Sequence, residues 1–207
     1  MDLPKPIQQF IKIFSEIPSI GPRQATRVAF WLLHQPKNKQ TEFVNAFNNL
    51  STKIKICSEC FFPFEPKNKE TLCEICRNPK RDHTTICVVE KETDLISIEK
   101  TNKYNGLYHI LNGLISSFDK NKIKELTIPQ LILRIKKRAK MSPPLREVIL
   151  ALNPTSEGNL TTYYLEKEIK NLNLKIKITK LGRGLPTGGD IEFADSETLI
   201  NALEGRK

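Results

Sequence analysis

Four cysteines stand as two pairs, Cys57-x-x-Cys60 and Cys73-x-x-Cys76. Two residues between thiolates make a tight knuckle that aims both sulfurs at one point. Two such knuckles complete a tetrahedral four-sulfur set, the donor chemistry of zinc, with Zn–S near ~2.3 Å. In a reducing compartment, paired CxxC units read as metal ligands rather than as disulfides. A closed four-sulfur site leaves no position open for substrate, so the expected zinc is structural. His83 follows the module and is a rival ligand, set aside because four thiolates are already present. Cys87 lies inside the apolar run ICVVE and reads as a buried core residue.

A second chemistry is anion binding. In IPSIGPRQATR (17–27), Gly21 supplies backbone freedom and Pro22 suits a first helical position. The free N–H groups and dipole of the helix that starts there suit one phosphate. Arg23 and Arg27 lie four apart on that helix and point the same way. The stretch resembles the helix-hairpin-helix motif of DNA-repair proteins, which often carries Gly where this chain has Ser19. RIKKRAK (134–140) packs five basic residues into seven. It reads as a solvated helix face, with a phosphate-tracking groove as the alternative.

A third candidate is acidic. Glu90 ends the run ICVVE, and NPTSEG (153–158) follows the apolar run EVILAL. An acid after one strand and an acidic turn after a later parallel strand resemble the Toprim domain. Its second motif usually holds Mg²⁺ with two aspartates flanking one residue. Here those slots are Asn153 and Thr155. A hard octahedral ion wants anionic oxygens, so Glu90 and Glu157 alone make a poor site. The plainer reading of Glu157 is an acid complementing the dipole of a first helical turn. The Gly-rich LGRGLPTGGDIEFAD (181–195) reads as a structural loop. The chain has no G-x-x-x-x-G-K-[ST] phosphate cradle, which speaks against ATPase activity.

The elements that must position these residues follow from periodicity. Ile7, Phe10, Ile11, Phe14 and Ile17 trace one helix face, stopping at Pro18; helices over 22–33 and 39–54 follow. Prolines 63, 66 and 79 keep the cysteine module free of long elements. From residue 84, apolar strands alternate with helices: TTICVVE, ETDLISIEKT, GLYHIL, a helix near 122–141, EVILAL as a central strand, SEGNLTTYYLEKEI and LKIKITKL. That order predicts a parallel sheet with helices on its faces. DSETLINALEGRK ends the chain as a short helix capped by Asp195 or Ser196.

The expected fold is therefore a multi-domain α/β protein. Its parts are a helix-hairpin-helix at 1–54, a four-cysteine zinc finger at 55–80, a Toprim-like parallel domain at 81–180, and a C-terminal Gly-rich loop and helix at 181–207. Length, 207 residues with 39% hydrophobic content, allows one large domain or two to three small ones. No run approaches the ~18 apolar residues of a membrane span, and the N-terminus lacks a signal-peptide pattern. A soluble, cytoplasmic protein is expected. The formal net charge of +10 favours a polyanionic partner without naming it.

Taken in order, IGPRQATRVAFWLL, the paired CxxC units, ICVVE, GLYHILNG, NPTSEG, RGLPTGGDIEFAD and LINALEGRK resemble the RecR family of bacterial recombination mediators over nearly the whole chain. The resemblance implies a non-enzymatic, DNA-binding protein of DNA repair and recombination after DNA damage. It implies action with RecO and RecF to load RecA at single-strand gaps. It also implies association through terminal regions into dimers or ring-like tetramers that encircle DNA. DNA contacts map onto Arg23 and Arg27, and neutral slots in NPTSEG are usual for the family. Freed of metal binding, Glu157, with Glu90 beside it, is expected to meet a partner protein. Two readings from other classes stand beside this one: a small Toprim nuclease using Mg²⁺, and a zinc-stabilised interaction module without nucleic acid.

Overall fold

The structure is a computed structural model that describes residues 2–116 and 120–206. Met1 and Lys207, the outer ends of the first and last expected domains, lie outside the described residues. The chain divides into two compact units, Met1–Ile54 and Lys55–Lys207.

The first unit holds α1 (Lys5–Phe14), α2 (Pro22–Leu33) and α3 (Lys37–Lys53). The expected first helix ran on to Ile17. It ends at Phe14 instead, where the Ser15 hydroxyl donates back to the Ile11 carbonyl at 2.6 Å. Gly21 is the N-cap of α2 and Pro22 its first residue, as the sequence indicates. The conformational demand, however, falls elsewhere. Gly21 is extended (φ −85°), whereas Ser19 occupies the left-handed region (φ 68°). A Cβ there costs about 1 kcal/mol. Ala25 and Ala29 are the buried hydrophobic residues of this unit among those described. Phe10 stacks on Phe14 at 3.9 Å, while Trp31, Phe47 and Leu50 remain half exposed or more.

The second unit opens with the antiparallel pair β1 (Lys55–Ile56) and β2 (Pro63–Phe64) and the one-turn helix α4 (Glu74–Arg77). A four-stranded sheet follows, made of β3 (Asp82–Val89), β4 (Gly106–Ile110), β5 (Glu147–Leu150) and β6 (Lys177–Lys180) in the order β4-β3-β5-β6. Every pairing is parallel, as the strand–helix alternation predicts. Period two assigns the side chains to faces. Ile86, Val88, Leu107, Val148 and Leu150 join one core, beneath α7 (Ile128–Arg138) and α8 (Ser156–Lys170). Cys87, Val89, Tyr108, Ile110 and Ala151 join the other, against Leu95 of α5 (Glu92–Lys100) and Phe61 and Phe62 of the cysteine module.

The single helix expected near 122–141 is two, α6 (Lys120–Glu125) and α7. Pro129 lies in the first turn of α7, where its missing N–H costs nothing, and it cannot continue a helix from α6. The last helix, α9 (Ser196–Glu204), is capped by Asp195, whose carboxylate accepts from the Thr198 N–H at 2.8 Å.

Candidate functional site

Local backbone geometry brings the cysteines together. The Phe61 N–H donates to the Cys57 carbonyl, and the Cys57 N–H to the Phe62 carbonyl, both at 3.0 Å, closing the first knuckle. Phe61 takes a left-handed conformation (φ 66°) to do so. The second knuckle starts α4 and turns its Cys73 N–H onto the Cys57 sulfur at 3.4 Å. All four thiols are buried, and their sulfurs lie within 4.8 Å of one another. The Cys60 and Cys73 sulfurs are 3.5 Å apart and unbonded, against ~2.05 Å for a disulfide. Sulfurs ~2.3 Å from a common centre would stand ~3.8 Å apart, so this donor set fits a tetrahedral metal. Without a cation the set resists full ionisation. Hydrogen bonding to Cys57 and then to Cys73, ahead of burial, pushes the Cys60 and Cys76 thiols well above the ordinary range. His83 takes no part: its ring meets the Asn78 carbonyl at 3.0 Å and Arg138 at 3.2 Å. Cys87 is buried in the sheet core as expected, its thiol pushed up by burial to about 12.

The basic run on and after α7 divides, matching the expected solvated face at its lysines and departing from it at Arg134. Lys136, Lys137 and Lys140 face outward. Arg134 is 5% exposed and reaches the metal module: its NH1 donates to the Tyr108 carbonyl at 2.6 Å, and its NH2 lies 3.7 Å from the Cys76 sulfur. Its Nε stands 2.8 Å from the Glu59 carboxylate but is misaligned as a hydrogen bond, so that contact is a charge pairing. Arg138 follows one turn on and donates to His83. Neither the composition of the run nor its spacing carried a signal of this division, since Lys137 and Arg138 both fall on the Arg134 face.

At the carboxyl ends of β3 and β5, the Asn153 amide donates to the Glu90 carboxylate at 3.1 Å. Thr155 caps α8, its hydroxyl accepting from the Gly158 N–H at 3.1 Å. Gly158 lets this turn close, since a Cβ there would come within 1.9 Å of the Asn153 carbonyl oxygen. Glu157 is exposed on the first helical turn, and the contact formed by Glu90 is with Asn153. Among the described residues the four cysteines are the one group of three or more candidate ligands, so the acids of the turn do not gather into a metal cluster. The Gly-rich loop lies beside the turn. Arg183 donates to the Asn159 side chain at 2.7 Å and lies 3.3 Å from Glu197, and a cavity of about 530 Å³ opens between Asp94, Asn153, Lys180 and Asp195. Nothing in the sequence spacing pointed to Arg183.

In the first unit, Arg23 and Arg27 are both exposed on α2 and, among the described residues, neither forms an ion pair. They flank a helix start whose first N–H groups have no intrahelical acceptor.

Comparison with known proteins matches residues 7–50 to a family described as "RecR, helix-hairpin-helix", 84–181 to the Toprim domain, and 184–207 to "RecR, C-terminal". The recombination protein RecR of Roseiflexus castenholzii is 38% identical over 99% of this chain and 95% of its own length. The RecR proteins of Bifidobacterium animalis and Clostridium perfringens are 42% and 40% identical, over 97% and 98% of this chain and 95% and 96% of their own lengths. Among the described residues, no helix is long and apolar enough to cross a membrane. A helix-hairpin-helix, a buried four-cysteine cluster and a parallel Toprim sheet, matched end to end in this order, place the chain in the RecR family of recombination proteins.

Proposed function

We propose that the protein is a DNA-binding mediator and scaffold in gap and break repair, not an enzyme. It works with RecO- and RecF-type proteins to assist RecA loading in the cytoplasm. The observation that carries this reading is the pair Arg23 and Arg27, exposed and free of acids where α2 begins. That arrangement suits a phosphate backbone and calls for no base readout. The net charge of +10 agrees with it.

The remaining parts take supporting roles. Cys57, Cys60, Cys73 and Cys76 hold one structural zinc. The domains run 1–54, 55–80, 81–180 and 181–207. Self-association into a dimer or ring-like tetramer uses the terminal regions, where Trp31, Leu50, Phe193 and Leu203 are exposed. Glu157 and Glu90 dock a basic partner, RecO in the first instance, with Glu90 held by the Asn153 amide.

The test is binding to two unrelated DNA sequences by Arg23→Ala/Arg27→Ala protein, with salt varied and Mg²⁺ present. Both sequences are expected to lose affinity alike. If the assembly touches roughly six phosphates, wild-type affinity falls about 10³-fold between 50 and 200 mM salt. Binding unaffected by salt or by the double substitution would refute the phosphate-gripping hairpin. Mg²⁺-dependent cleavage that disappears in Glu157→Ala would establish the nuclease reading instead.

A further inference from the structure

β4 is an edge strand of the sheet, and its outward backbone groups need partners other than a neighbouring strand. Three are satisfied from outside the sheet. The Ile110 N–H donates to the Cys60 carbonyl at 3.0 Å. The Ile110 carbonyl accepts from the Thr127 hydroxyl at 2.5 Å, and the Tyr108 carbonyl from Arg134 at 2.6 Å. Two of these three caps are a cysteine of the metal module and a guanidinium that also reaches one of its sulfurs. The edge and the cysteine cluster are therefore closed by the same two residues, Cys60 and Arg134.

We propose that Arg134 is an outer-sphere positioning residue of the metal centre, and that through Arg134 and Cys60 the metal holds the β4 edge of the sheet closed. The chemistry follows from charge. Four thiolates around a divalent cation carry a net charge of −2. A buried guanidinium within 3.7 Å of the Cys76 sulfur offsets part of that charge where water cannot. Glu59 balances the arginine from the first knuckle, which leaves the fork fixed rather than free to turn toward solvent. Outer-sphere partners of this kind tune metal affinity by about 10–100-fold. Arginine suits the position because its planar fork serves a carbonyl, a carboxylate and a sulfur at once, which an ammonium on a flexible stem does not.

The inference rests on the cysteines holding zinc, so the first measurement is zinc content of the purified wild-type chain. About one zinc per chain is expected; none would overturn this inference together with the zinc assignment. The second is competition for zinc against a chromogenic chelator. Arg134→Met is expected to lose metal at chelator concentrations about 10–100-fold lower than wild type, and Arg134→Lys to fall between them. Lys137→Met, an exposed neighbour 3.7 Å from the same Glu59, is expected to match wild type. If Arg134→Met folds poorly because Glu59 is left unpaired, Arg134→Met/Glu59→Gln removes the stranded charge and answers the same question. The third is hydrogen exchange of the wild-type protein before and after zinc is withdrawn. Amides of Tyr108–Leu111 are expected to lose protection ahead of Ile86–Val89 in the neighbouring strand. Zinc bound as tightly by the Arg134 variants as by wild type would overturn the inference while leaving the zinc assignment intact. Uniform loss of protection across both strands would overturn the edge coupling.

Discussion

The two units of the chain solve the problem of burial in opposite ways. The sheet unit closes on itself: β3 is buried on both faces from Ile86 to Val89, β5 buries Val148 and Leu150 on one face with Ile149 partly buried on the other, and a four-cysteine cluster and Arg134 cover the β4 edge. The helical unit does not. Three helices bury only two alanines among the described residues and leave Trp31, Val44, Phe47 and Leu50 at least half exposed. A unit of about fifty residues buries little apolar surface alone. Its exposed aromatic and aliphatic side chains are the surface through which self-association is proposed. Burial is thus divided between the two regions, and so is the chemistry: candidate metal ligands and core in one, exposed arginines and an open apolar surface in the other.

The strongest way to break this contrast is to remove the metal. Cys57→Ser is expected to abolish zinc binding and to unfold the cysteine module, since apparent metal-binding energies at such sites are on the order of 10 kcal/mol. Hydrogen exchange resolved along the chain should show the loss confined to residues beyond 54, with α1–α3 unchanged. A variant that keeps its melting temperature without metal, or one that loosens the helices equally, would erase the distinction between the units.

Acid should act next most strongly, again on the sheet unit alone. His109 is fully buried, its Nε2 facing Thr127, and burial followed by the nearby Arg134 charge pushes its pKa down from 6.5 to about 3. The folded state therefore keeps it neutral where the unfolded chain takes up a proton. Its contribution is complete above pH 6.5 and is lost as pH falls toward 3, amounting to about 2 kcal/mol between pH 6.5 and 5. Denaturant unfolding at pH 7 and pH 5 measures it. His109→Asn should flatten the pH dependence; an unchanged slope would assign the acid sensitivity to other groups.

The smallest expected effect belongs to the helical unit. Ser19→Gly relieves the left-handed strain at the hairpin but frees the unfolded chain, for a net gain of about 0.5 kcal/mol or less. DNA binding should hold or improve slightly. A clear loss of affinity would mean that the Ser19 hydroxyl itself meets the phosphate, and the hairpin would then be more than a backbone device.

Much of this was legible in the sequence because its signals are local. Paired thiols two residues apart, a proline after a glycine and period-two apolar runs each state their own geometry. The Asn153 and Thr155 slots could be read the same way, as the absence of anionic oxygen at two fixed positions. What stayed hidden depends on where distant chain arrives. RIKKRAK looks alike along its length, yet Arg134 is buried and Lys136 is not, because the Tyr108 carbonyl and the Cys76 sulfur meet only one side of α7. Ser19 carried the opposite lesson. The left-handed torsion falls not on the glycine at 21 but two positions earlier, where the resembled motif often carries Gly.

The amide of Asn153 has a consequence for the conditions under which the molecule keeps its shape. A carboxylate at that position would face Glu90 across a hydrogen-bond distance, and two anions so close repel unless a cation lies between them. Such a turn is only as ordered as the local supply of divalent ions allows. An amide carries its own donor protons, so Glu90 is satisfied at any ionic composition. The turn then keeps one shape whether magnesium is abundant or sequestered by nucleotides and nucleic acid. The docking role proposed for Glu157 would gain from that constancy, because the geometry of the turn no longer reports on the solution around it.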